Sequence, residues 1–237
     1  MLVIVLAILG AVSPAQREST ELNRRIIKTR LEASVSSFSE ASDLYQFVDR
    51  VAKDVAPPDR AEFELFRLRA LRRSLSLIDR YDPTDPAQRD WLKKHEDDVV
   101  FSEPAGDWLV KADLYWSLEA RYRGNVMAEE IAWEGANAGL AGECEGYLPC
   151  HFVAVLLTDG RYLERYPTGA HAAEAIERIG QLLTDATKPN SPYTMDSRDA
   201  GELRESIGKL TRILEGTSNS RKTELIAQLL RIRETYR

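Results

Sequence analysis

Cys144 and Cys150 are the two residues of this 237-residue chain best placed to do covalent chemistry, and they are its only thiols. They lie in the segment Glu143-Cys144-Glu145-Gly146-Tyr147-Leu148-Pro149-Cys150-His151. In an oxidising compartment such a pair forms a disulfide by default. The rival is a metal site using Cys144, Cys150 and His151. Zinc sites, however, usually take four ligands in close pairs, and the chain has no second cysteine pair. Haem attachment takes two residues between the cysteines, and here there are five. The spacing predicts a Cys144–Cys150 bond that clamps the second helix of one helical hairpin to the first helix of the next. Gly139, Gly142, Gly146 and Pro149 otherwise leave that connection free to pivot.

The remaining reactive side chains do not converge in the sequence. His95, His151 and His171 are the three histidines, and none stands in a His-Glu-x-x-His helix. There is no Gly-x-Ser-x-Gly elbow and no phosphate-cradling glycine loop. His171 and Glu174 sit at i and i+3 and read as a helix-surface pair near an N-terminus, where the glutamate offsets the dipole. Glu96, Asp97 and Asp98 read as a solvated helix end, with Arg67, Arg69, Arg72 and Arg73 a solvated stripe facing them. Carboxylates for glycoside cleavage meet in space and not along the chain, and nothing promotes any pair. No catalytic residue, metal ligand or cofactor site is therefore expected. Trp108, Tyr115, Trp116, Tyr122, Trp133, Tyr147 and Tyr162 are mostly core by spacing. Trp108, Tyr115, Trp116 and Tyr162 are the candidates for a partner-binding groove.

Composition bounds the partners. With 38 acidic against 32 basic residues and a formal net charge of −6, the chain lacks the electrostatic footprint of a general nucleic-acid binder. Residues 1–12 form an apolar run without a charge, followed by Ser13, Pro14, Ala15 and a sharply polar stretch. Small residues at Ser13 and Ala15 suit a signal-peptidase site, so residues 1–15 read as a signal peptide and the mature chain begins at Gln16. As a helix the run reaches only about 17 Å, short of the roughly 30 Å hydrocarbon core of a bilayer. The run carries no Lys or Arg, which leaves a retained anchor as the alternative. The expectation is a protein exported to the periplasm or beyond, with no stable membrane span after cleavage.

The elements that must position these side chains are helices. Apolar residues recur at helical spacing everywhere after the signal, and no alternating run is long enough to propose a sheet. The spacing predicts a long first helix over 20–55, broken or bent near Ser34, Ser36, Ser37 and Ser39 and ended by Pro57 and Pro58. Asp59 with Glu62 reads as a capping box opening a second helix to about Tyr81. Asp85 with Pro86 opens a short helix ending near Asp98. A looser stretch over 99–106 separates an N-terminal region, 16–100, from the remainder, 105–237. Helices then follow over 108–123, 126–140, 151–166 and 170–183. An exposed loop spans 187–197, a helix is opened by Asp199 with Glu202, and a last one carries Leu225, Ile226, Leu229 and Leu230.

The run from Gly160 to Ile176, with Tyr166-Pro167-Thr168-Gly169 at its centre and Ala172, Ala173 and Ala175 after it, resembles the inter-helix turn of tetratricopeptide-like (TPR-like) repeats in bacterial envelope proteins. Pro167 stops one helix, Thr168 can cap the next, and the alanines let helices approach closely. Trp108, Leu109, Ala112, Tyr115, Leu118 and Tyr122 resemble the first helix of such a repeat; Ala128, Ile131, Ala132 and Ala136 resemble the second. Arg80-Tyr81-Asp82-Pro83 is a weaker echo. The resemblance covers about 108–183, and the cysteine loop between Leu140 and His151 departs from the family's short turn. It implies an all-α short solenoid of stacked hairpins and carries no ligand or activity. The function expected is an exported, non-enzymatic interaction module or scaffold that holds a protein or peptide partner in the cell envelope. The alternative is an enzyme, or enzyme accessory, acting on cell-wall glycans or peptides.

Overall fold

The computed structural model describes residues 13–78 and 81–236 of the chain. Residues 1–12 of the expected signal peptide, and Arg80 of the weaker repeat echo, lie outside the described residues. Ser13 accepts a hydrogen bond from the Gln16 amide at 3.2 Å and opens helix α1, Pro14–Glu32, with Pro14 in its first turn. The Cα packing divides the chain into two compact units, 1–78 and 79–237.

In the first unit the expected long helix is two. Helix α1 ends at Glu32, and Ser37 caps a new helix, α2, Phe38–Asp54, by accepting from the Glu40 amide at 3.3 Å. The serines offer the backbone a side-chain alternative to helix bonds, and the chain uses it to break rather than bend. Helix α3, Pro57–Leu75, begins with the two prolines themselves, which need no amide partner in a first turn. Ala56 therefore holds the capping position, and the expected Asp59–Glu62 capping box does not form. Both acids face α1 instead. Arg24 bridges Asp59 at 2.6 Å and Glu62 at 2.7 Å, and Lys28 reaches Glu62 at 3.0 Å. Arg73 donates to the carbonyls of Leu31 and Ala33, satisfying acceptors left open at the end of α1. Ile27, Leu44, Val48, Phe63, Phe66 and Leu71 fill the core of this unit.

The second unit opens with α4, Pro86–Lys94, capped as expected by Asp85, which accepts from the Ala87 amide at 2.8 Å. The stretch over 99–106, expected to be loose, is instead half of an antiparallel hairpin. Strand β1, Val99–Ser102, pairs with β2, Asp107–Val110, in the register Val99↔Val110 to Ser102↔Asp107. This also moves Trp108 out of the helix expected over 108–123, which begins only at Ala112. Valine and aromatic side chains favour the pleated, half-buried surface they occupy here.

Helices α5, Ala112–Arg121, and α6, Ala128–Ala136, pack as a pair. Gly135 makes the contact close: a methyl group there would stand 2.9 Å from Tyr115 Cβ. The helix expected over 151–166 breaks into α7, Leu148–Leu157, and α8, Asp159–Arg165, at Thr158. Helix α8 packs on α9, Ala172–Thr187. A 3-10 turn, Ser197–Asp199, leads into α10, Ala200–Glu215, which packs on α11, Lys222–Thr235. Further contacts join α6 to α8, α8 to α10, and α9 to α11. Tyr162, Phe152, Ile176, Ile179, Leu183, Leu203, Ile207, Leu210, Leu225 and Leu229 form one contiguous core. Each such large side chain contributes about 1.5–3 kcal/mol by leaving water. The chain is all-α apart from the one hairpin among the described residues.

Candidate functional site

The β-hairpin places two aromatic rings directly across from each other. Phe101 and Trp108 are cross-strand partners, and their ring centroids lie 5.4 Å apart, edge to face. Tyr81 completes the group from the segment before α4. Its ring stacks on Trp108 at 5.9 Å with 5° between planes and meets Phe101 edge-on at 5.2 Å. Such offset and edge-to-face pairs contribute about 0.5–1.5 kcal/mol each beyond simple burial. Val99 and Val110 lie beside them on the same face of the hairpin and are buried, while Tyr81 is 68% exposed and Phe101 and Trp108 are half-buried. The result is a three-ring aromatic platform whose exposed member is Tyr81.

Of the four expected partner-contacting residues, only Trp108 reaches the platform. Tyr115, Trp116 and Tyr162 are buried within the helix layers. Phe101 and Tyr81 escaped the sequence reading. The available signal was the pair of runs Val-Val-Phe-Ser and Asp-Trp-Leu-Val on either side of Glu-Pro-Ala-Gly, which reads as strand, turn, strand.

A second region carries carboxylates. An open cleft of about 760 Å³ lies between α5, α6 and α8, with Glu119, Glu129 and Glu164 in its walls. Glu119 is 1% exposed, and a charge so buried must be paired. Arg165 contacts it directly, Tyr166 donates to it at 3.0 Å, and Arg123 stands at 3.5 Å. Glu129 accepts from the Tyr162 hydroxyl at 2.8 Å and from the Ala170 amide. Burial, with help from this carboxylate, raises the Tyr162 phenol, so it stays a donor. Gly169 fits closely beside them: a methyl group there would fall 2.5 Å from both Glu129 Oε1 and Tyr162 Oη, so one of them would have to shift. The two carboxylates are thus committed to tying α5 and α6 to the turn between α8 and α9.

The disulfide joins Cys144 and Cys150 as expected, with their Cα atoms 5.4 Å apart, and both thiols are consumed by it. Its position differs from the expected clamp. Cys144 lies in the loop well past the end of α6, and Cys150 sits in the first turn of α7. The closed loop instead holds the segment before α10. Leu148 donates to the Thr194 carbonyl at 2.9 Å, and the Thr194 amide donates to Gly146 at 2.9 Å. The Tyr147 hydroxyl donates to Asp199, which takes that carboxylate away from the helix-capping role expected of it with Glu202. The carboxylate pushes the phenol up to about 12.

The expected His171–Glu174 pair does not form. His171 stacks on Trp133 at 4.5 Å and approaches Glu130 at 3.6 Å, while Glu174 pairs with Arg178 at 2.6 Å. Of the acids expected at a solvated helix end, Glu96 and Asp97 offer their carbonyls to the Lys111 ammonium, at 3.1 and 2.9 Å. The arginines expected to face those acids belong to the other compact unit.

The chain matches no protein-family model, no curated protein and no solved structure. No helix among the described residues is long and apolar enough to cross a membrane.

Proposed function

We propose that this protein is an exported, non-enzymatic interaction module in which TPR-like stacked helix pairs carry a surface that holds a peptide segment or another protein of the cell envelope. The observation that carries the reading is the platform of Tyr81, Phe101 and Trp108, three rings within 5.9 Å of one another with Tyr81 68% exposed. Rigid aromatic side chains supply large contact area at little entropic cost, which is why they anchor protein interfaces. The pairing of α5 with α6, α8 with α9 and α10 with α11, with α8 meeting α10 and α9 meeting α11, supports the repeat-like arrangement. The Cys144–Cys150 bond supports an oxidising compartment.

The alternative, hydrolysis of cell-wall glycans or peptides, requires a carboxylate free to take or give a proton in a cleft. Glu119 and Glu129 stand in the cleft between α5, α6 and α8, but both are already held, Glu119 by Arg165 and Tyr166 and Glu129 by Tyr162. That commitment favours the binding reading. A photo-reactive phenylalanine analogue at position 81, in protein expressed in its own envelope, tests it. The expected result is one discrete protein adduct that is absent with the analogue at the 90%-exposed Val126 and lost on Trp108→Ala. No adduct from position 81, or the same adduct from position 126, overturns the reading.

A further inference from the structure

Resting on that reading, we infer that the aromatic platform takes a cationic polypeptide segment, one that presents arginine or lysine to the rings and to the acids around them. The charge around the platform is lopsided. Residues 81–110, which carry the three rings and the hairpin, hold eight acidic side chains against three basic ones, a net −5 within a chain of net −6. Asp82 follows Tyr81 directly and Glu103 follows the strand bearing Phe101, both exposed; Asp107, also exposed, pairs with Ser102 and lies on the other face of the hairpin from Trp108. The three basic side chains of this stretch offset the acids only in part, as the net −5 already counts. Arg89 is turned to the carbonyls of Pro83 and Thr84, at 2.9 Å each, and Lys93 and Lys94 lie at the far end of α4.

Electron-rich ring faces and carboxylates recognise the same ligand by different means. A guanidinium or ammonium is attracted to the face of Trp or Tyr by the ring quadrupole, and to the acids by charge. Elsewhere the chain already uses the first mode: Arg161 lies over the Trp116 ring at 4.4 Å and Arg178 over Trp133 at 4.6 Å. Around Tyr81 the acids repel an anionic ligand, and a neutral one gains nothing from them. Complementarity therefore selects the cationic segment over an acidic peptide or an uncharged glycan.

Three fluorescein-labelled dodecapeptides test this, identical in a Gly-Ser background except for Arg, Gln or Glu at every third position, with chitohexaose as a fourth probe. Binding to the whole protein is followed by anisotropy or, for the sugar, calorimetry. The expected result is that the Arg peptide binds at least about tenfold more tightly than the Gln peptide at low salt. That advantage shrinks several-fold at about 0.3 M salt, because the acids are exposed. Asp82→Asn with Glu103→Gln is expected to cut the advantage, and Trp108→Ala to remove binding. Equal binding of the Arg and Gln peptides overturns the inference while leaving a polypeptide-binding platform in place. Preference for chitohexaose, or Arg-peptide binding untouched by Trp108→Ala, overturns it as well. Absence of binding by every probe overturns the cationic assignment, and the position-81 adduct then judges the interaction reading separately.

Discussion

Arg178 of α9 stands 3.5 Å from the Asp159 carboxylate at the start of α8, yet burial and not this ion pair governs the acid. Asp159 is 6% exposed, and loss of water pushes its carboxyl up to about 6. Arg178 pulls the other way, and Glu174 adds to the rise. Arg178 spends its guanidinium on several partners: Glu174 at 2.6 Å, Asn137 at 2.8 Å and the Trp133 face.

The sign of the pH dependence follows. In the unfolded chain Asp159 ionises near 3.8, and in the folded protein near 6. Below pH 3.8 it is neutral in both states and costs nothing. Stability then falls as pH rises through the window from 3.8 to 6, by about 3 kcal/mol at most, and stays lower above it. Asp159→Asn is expected to remove this fall. Urea unfolding at pH 4, 5, 6 and 7 should show the variant gaining on the parent across that window. A constant difference at all four values would refute the assignment.

Gly169→Ala is expected to destabilise the second unit by about 1–3 kcal/mol, because the new methyl group enters the space of Glu129 and the buried Tyr162 hydroxyl. Thermal melts of the variant against Gly201→Ala check this, since a methyl group at the helical Gly201 meets open space. Equal melting temperatures would show that the turn can shift to make room.

Closing the cysteine loop removes roughly 2 kcal/mol of unfolded-state entropy in the chain-entropy model. A Cys144→Ser, Cys150→Ser double variant is expected to keep its helical circular dichroism and lose about that much stability. Its clearest mark should be local. The Thr194 amide, bonded to Gly146 of the closed loop, should exchange its hydrogen faster while amides of α9 are unchanged. Uniform acceleration would mean that the bond supports the whole unit.

Tyr81→Ala and Trp108→Ala separate contact from stability. Tyr81 is 68% exposed, so its removal should change stability by no more than about 1 kcal/mol while abolishing peptide binding. Trp108→Ala should cost more, since the ring also covers the hairpin. Binding that survives both variants in folded protein places the contact surface elsewhere.

Export is checked by N-terminal sequencing of protein recovered from outside the cytoplasm. The expected first residue is Gln16. An intact Met1 in a soluble cytoplasmic fraction would remove the compartment from the proposal.

The helical class, the Asp85 cap, the breaks at proline and serine, and the cysteine pair were all readable from residues a few positions apart. The reason is that caps, turn residues and the 3.6-residue period are short-range effects, complete within one or two turns of chain. Ser37 illustrates the limit of that reading. Its type announces a weak point in a helix, but whether the chain bends or breaks there depends on what α1 and α2 each pack against.

Tertiary structure decided which side chains meet. Tyr81 finds Trp108 across 27 positions, Glu129 finds Tyr162 across 33, and Arg24 takes Asp59 and Glu62 from the cap they were expected to form. The hairpin left only the two short runs around Glu-Pro-Ala-Gly as its trace, because strands of four residues barely show their period and their pairing is stabilised across the turn rather than along it. Tyr115 and Trp116 read as mostly core by spacing and yet stayed candidates for a groove, since an amphipathic stripe says that a face is covered without saying by what. Only packing in three dimensions buried them and left Tyr81 and Trp108 at the surface, because burial depends on distant segments and not on the residue's own neighbours.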